Sequence, residues 1–157
     1  MALRKIVFEN DPTLRKKSKV VTAFDERLAT LLDDMTETMD KNNGVGLAAI
    51  QVGILKRAIV IDIGEGLIEA INPVIVSESG KQNDAEGCLS CPGQRGMVSR
   101  PQKVTVKAQD RNGKEYEIEA KGLLARAFCH EIDHLDGIIF KDRASEMLEP
   151  DDDEDYE

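Results

Sequence analysis

Apolar residues recur at helical spacing between Asp25 and Asn42. Leu28, Leu31, Leu32, Met35 and Met39 fall on one stripe with acidic residues opposite, the pattern of a helix laid against a core. Asn42-Asn43-Gly44 supplies the stop, because Asn and Gly tolerate the left-handed turn that ends a helix. A second helix is expected over Leu123 to about Leu135, with Gly137 as its stop. Asp11-Pro12-Thr13-Leu14-Arg15 predicts a short helical start with proline just inside it. Between the two long helices the periodicity changes. Lys56–Ile63 and Leu67–Ser77 are rich in β-formers, the latter interrupted by Asn72-Pro73, which predicts an edge strand or a break. Lys103–Gln109 and Tyr116–Ala120 alternate apolar and polar positions around Asp110-Arg111-Asn112-Gly113, a hairpin signal. Cys91-Pro92-Gly93 reads as a turn after Gly80–Ser90. The segment from Gly44 to Gly53 is apolar but too rich in small residues for an ordinary strand.

Strands in the middle and helices at either end predict an α+β fold with mostly antiparallel sheets. No repeat or linker divides the chain, so one catalytic domain is expected over residues 1–148. The remainder, 149–157, is an acidic tail expected to be disordered.

Composition narrows the function classes. Of 157 residues, 41% are hydrophobic and 32% charged, with 21 Lys and Arg against 30 Asp and Glu, a formal net charge of −9. That excess gives no basic surface for DNA or an anionic membrane. No apolar run reaches membrane-spanning length, and Met1–Phe8 lacks the apolar stretch of a signal peptide. Three cysteines make no disulfide framework. Together these predict a cytoplasmic protein whose thiols stay reduced.

The chemistry concentrates in two places. The two histidines of the chain stand four apart in His130-Glu131-Ile132-Asp133-His134. On a helix, that spacing puts both imidazoles on one face, where they can share a metal ion while Glu131 serves as a base toward water. A third ligand is needed for a catalytic site. Phe140 occupies the position where one H-E-x-x-H variant carries its third histidine. Glu146 and Glu149 would make a zinc endopeptidase with an acidic third ligand. Cys88 or Cys91, in Glu86-Gly87-Cys88-Leu89-Ser90-Cys91, would supply a thiolate suited to a borderline-soft ion. Both cysteines together would close a non-catalytic Cys2His2 structural module, although the gap to His130 is long and Glu131 would be left without a task. Cys129 reads as a small buried apolar residue.

Three segments in order, Gly44-Val45-Gly46-Leu47-Ala48-Ala49-Ile50-Gln51, Glu86-Gly87-Cys88-Leu89-Ser90 and the H-E-x-D-H string, resemble the signature motifs of peptide deformylases. The likeness extends from Asp11-Pro12 to about Phe140. It implies a metal-dependent hydrolase that removes the formyl group from the N-terminal formyl-methionine of nascent polypeptides. It further implies mostly antiparallel sheets packed around a central C-terminal helix that carries the H-E-x-D-H string. Cys88, His130 and His134 would be the metal ligands and Glu131 the acid/base. Gln51 and the Leu89 N–H would meet the carbonyl oxygen. Gly46 would line the substrate groove through its backbone. Val45, Leu89, Leu123 and Ala127 are candidates for the methionine slot, and Gly87 for a substrate contact. One divalent ion is implied as cofactor, ferrous iron in the cell, with zinc or another divalent ion as substitutes. N-formylmethionyl nascent chains are the implied partners, with ribosome contact no more than transient. Cys91 stands where the family usually has an aliphatic residue and Cys129 where Gln is common. Under oxidation, Cys91 is expected to be able to pair with Cys88.

Overall fold

The computed structural model describes residues 2–149; the acidic run from Asp151 lies outside them. Helix α1 spans Glu26–Lys41 and is capped by Asp25, whose Oδ1 accepts from the Leu28 N–H at 3.1 Å. Its apolar stripe is buried throughout, as the spacing predicts. Asn43 takes the left-handed conformation, with φ 58°, and closes the helix. The Pro12 start forms a single 3-10 turn, Pro12–Arg15, capped by Asp11. Helix α2 spans Leu123–Leu135 and contains residues 130–134.

The strands form two antiparallel sheets. β1 (Gly46–Ala48), β2 (Ala58–Ile61), β3 (Ile68–Ser79), β6 (Lys103–Gln109) and β7 (Glu115–Lys121) assemble in the order β1-β2-β3-β6-β7. β4 (Gln82–Cys88), β5 (Cys91–Arg100) and β8 (Ala144–Met147) form the smaller sheet in the order β4-β5-β8. The fold is therefore α+β with antiparallel sheets.

β2 shows how the larger sheet is buried. Successive side chains of a strand point to opposite faces. Ile59 and Ile61 join a core with Ala125, Phe128 and Leu135 of α2. Ala58 and Val60 join a second core with Leu28, Leu32, Met35 and Met39 of α1. Both faces are covered, so the strand reads as a continuous apolar run instead of an alternation.

Besides the segment 44–53, which supplies β1 despite its small residues, two expectations need correction. β3 is neither broken nor at an edge, for it pairs with β2 and β6 on its two sides. The ladder instead shifts register between Ile71 and Val74, so Pro73, which has no N–H, sits in a bulge. Asn72 carries φ 53° there, and its side chain accepts from the Val21 N–H at 2.8 Å and donates to the Val21 carbonyl at 2.9 Å. The second correction concerns Cys91-Pro92-Gly93. These residues begin β5, and the chain reverses one step earlier, at Leu89-Ser90, with Cys88 and Cys91 as register partners.

Candidate active site

Cys88 ends β4 at the tip of the small sheet, while His130 and His134 project from α2. The fold brings one ligand atom from each within 4.8 Å of the others. Cys88 Sγ lies 3.4 Å from His134 Nε2, and the imidazole rings stand 5.0 Å apart, edge to face. Among the described residues, this group of close donor atoms includes neither Cys91 nor Glu146 nor Glu149. A sulfur and two nitrogens make a donor set suited to a divalent transition ion. Three protein ligands leave coordination positions open for reactants.

Glu86 orients this set. Its Oε1 accepts from His130 Nδ1 at 2.9 Å, so Nδ1 carries the proton and Nε2 is left as the donor atom for a cation. Arg100 clamps the same carboxylate through Nε and Nη2, both at 2.9 Å, and Arg126 Nη1 also donates to it. Burial would raise the Glu86 pKa, but the contacts with Arg100 and His130 outweigh it and hold the group down to about 2. Arg100 continues to Asp133 at 2.8 Å, and Arg143 donates to Asp133 as well. Asp133 thus pairs with two arginines, and the Arg126 charge is paired by Glu86. Burial, with a smaller contribution from His130, moves the His134 pKa well below the usual range; that favours the neutral form able to ligate.

Glu131 is nearly fully buried, and its Oε1 has no hydrogen-bond partner among the described residues. Burial is the main cause pushing its pKa up to about 7. Gly46 of β1 makes room for it: a Cβ there would stand 2.6 Å from Glu131 Oε2. The glycine therefore admits the approach of the glutamate, in addition to the groove-lining place expected from sequence.

Gln51 lies in the 3-10 turn after β1. Its Oε1 accepts from the Ala48 N–H at 3.0 Å, and its Nε2 donates to Ser90 Oγ at 3.1 Å and to Cys88 Sγ at 3.4 Å. The amide is thereby held with its NH2 group toward the cysteine. The N-terminal segment straps both partners, with Val7 N–H on the Gln51 carbonyl at 2.7 Å and Glu9 N–H on the Ser90 carbonyl at 3.0 Å.

These groups open onto a cavity of about 740 Å³. Val45, Gly46, Gly87, Leu89, Leu123 and Ala127 all line it. Val45 and Leu123 are exposed at its rim, whereas Ala127 is buried. Cys88, His130, Glu131 and Gln51 line the cavity as well, whereas His134 is buried behind the wall. Sequence reasoning assigns no role to Glu86 or Ser90. The buried acid and its two arginines are recognisable only through contacts between β4, β5 and α2. Ser90 is disclosed by its contact with Gln51.

Residues 3–149 match the family model described as Polypeptide deformylase. A peptide deformylase of Caldicellulosiruptor bescii is 66% identical over 143 residues, covering 91% of this chain and 86% of the relative. One from Alkaliphilus metalliredigens is 61% identical, covering 91% and 97%. The crystal structure of the peptide deformylase from Thermotoga maritima superimposes with a TM-score of 0.90 at 43% identity, covering 91% of this chain and 98% of that one. With the family model spanning nearly all of the sequence and relatives this similar along most of their length, the chain belongs to the polypeptide deformylase family.

Proposed function

We propose that this protein hydrolyses the formamide of N-formylmethionyl nascent peptides, with one divalent ion held by Cys88, His130 and His134. The observation that carries the reading is the meeting of these three donor atoms with a buried glutamate beside an open cavity. A divalent ion bound there supplies Lewis acidity and makes water a better nucleophile near neutral pH. Ferrous iron is the cellular ion on this reading, and the Cys-His-His set suits zinc or another divalent ion as well.

The residues of the chain supply the remainder. Glu131, with its pKa raised to about 7, accepts a proton from water at a carboxylate oxygen and returns it to the leaving amine. Gln51 Nε2 transfers one N–H from Cys88 Sγ to the carbonyl oxygen of the substrate, and the Leu89 N–H meets the same oxygen. Each such donor contributes about 3–4 kcal/mol to the transition state in comparable sites. Among the described residues β1 has one strand neighbour, β2, which leaves its other edge for an extended peptide. The methionine side chain then enters between Val45, Leu89, Leu123 and Ala127. Gly87 lies on the same wall.

The test is an anaerobic assay of formyl-Met-Ala-Ser hydrolysis with metal analysis of the same sample. Formate release with about one equivalent of bound metal is expected. Cys88→Ala should lose both metal and turnover, whereas Glu146→Ala and Glu149→Ala should lose neither. Turnover that survives in metal-free Cys88→Ala would overturn the reading.

A further inference from the structure

We propose that Cys88 and Cys91 form an oxidative modification site, at which a hydroperoxide oxidises Cys88 and Cys91 captures the product as a reversible disulfide. Cys91 is buried to 1% exposure and stands outside the close group of donor atoms, so the proposed hydrolysis gives its thiol no task. Its position is nevertheless specific. It is the register partner of Cys88 across the Leu89-Ser90 turn. Antiparallel partners have Cα atoms about 4.5–5.5 Å apart, and a disulfide spans about 4.4–6.8 Å. The pair can close without travel of the backbone.

Access differs between the three cysteines. Cys88 is half-buried and lines the cavity together with Cys91, so a small peroxide entering by the substrate route meets the Cys88 sulfur. The Ser90 N–H and Gln51 Nε2 both lie 3.4 Å from that sulfur, which reacts as the thiolate, the nucleophile. Cys129 is buried on α2 and is absent from the cavity wall, which makes it an internal control.

The chemistry balances in two steps. The Cys88 thiolate attacks one oxygen of the hydroperoxide; an S–O bond forms, the O–O bond breaks, and the other oxygen leaves as alkoxide or hydroxide. The sulfur is oxidised by two electrons to the sulfenic acid and the peroxide is reduced. Cys91 Sγ then attacks Cys88 Sγ; the S–S bond forms, the S–O bond breaks, and the departing hydroxide takes the Cys91 proton as water. A dithiol reductant reverses the bond by exchange. Without Cys91, the sulfenic acid continues to the sulfinic and sulfonic acids, which do not return. The pair therefore converts irreversible damage at the cation site into a recoverable state. Only the loss of metal on disulfide formation rests on the proposed ligand role of Cys88.

The test treats reduced, metal-loaded enzyme with an excess of hydrogen peroxide, which supplies one oxygen per step of the ladder, alkylates in denaturant, and digests with trypsin without reduction. Cleavage after Lys81 and Arg95 leaves both cysteines in one peptide. Wild type is expected to yield that peptide two hydrogens lighter and unalkylated, with metal released and both changes reversed by dithiothreitol. Cys129 should remain fully alkylated. Cys91→Ser should instead accumulate two or three oxygens on Cys88 and fail to recover. A wild-type peptide oxygenated on Cys88 at the rate of Cys91→Ser, with no disulfide, overturns the proposal. The wild-type measurement decides the matter alone if the variant does not fold. A disulfide formed with metal retained would uphold the modification site and remove Cys88 from the ligand set.

Discussion

Gly46 and Glu131 occupy each other's space: a Cβ at position 46 would lie 2.6 Å from Glu131 Oε2 and 3.0 Å from Glu131 Cγ. β1 thus passes the acid/base candidate at backbone contact. Gly46→Ala is expected to displace the Glu131 carboxylate and lower kcat by about tenfold or more, since general acid–base catalysis supplies about 10²–10⁴ in rate. Bound metal should be unchanged. Steady-state kinetics with metal analysis checks this, and an unchanged kcat would show that the carboxylate accommodates the methyl group.

Glu131→Gln keeps the volume of the side chain and removes its capacity to take a proton. It should retain metal while turnover falls by about 10²–10⁴. Substantial residual turnover would remove Glu131 from the proton-transfer role.

Glu86→Gln addresses the buried cluster. The carboxylate faces Arg100, Arg126 and His130 at once, so its neutralisation leaves two buried guanidinium groups under-compensated. Breaking a buried pair in this way costs about 3–5 kcal/mol. Loss of the anchor on His130 should weaken metal affinity by about 10–100-fold. Urea unfolding of the metal-free protein measures the first effect and competition with a chelator the second.

Stability at low pH should depend on Asp142. The hydrogen bond from Arg15 is the main cause holding its pKa below the ordinary Asp range. A carboxylate whose folded pKa is depressed stabilises the fold above its unfolded pKa, and that contribution disappears as pH falls through the folded value. Asp142→Asn should therefore be less stable than wild type at neutral pH, and the two should converge at acid pH. Unfolding midpoints taken from neutral pH down through the carboxylate range give the comparison.

Much of this protein was legible as a linear pattern. The stripe on α1, the hairpin at Asp110–Gly113 and the helix with His130 and His134 on one face all follow from local periodicity and turn chemistry, which need no knowledge of the partner element. What escaped depends on distant contacts. Pro73 reads as a strand breaker until Asn72 is seen fastened to Val21, which turns the interruption into a bulge inside a central strand. Cys91-Pro92-Gly93 reads as a turn because its residue types favour one, yet pairing with Cys88 draws Cys91 into β5. Glu86 stands 44 positions from His130, and nothing in its flanking residues announces that it will hold an imidazole. In the candidate site, the groups facing the cavity were legible as motif and the groups that aim them were not.

The arrangement at Glu86 ties two assemblies together, because a single carboxylate on the small sheet grips a side chain from β5 and two from α2. A slip of β4 along the helix would break those contacts and part Cys88 from His134 in the same movement. Docking of the hairpin and readiness for chemistry are consequently one event, so a refolding chain should regain its capacity for turnover only when the last interface closes.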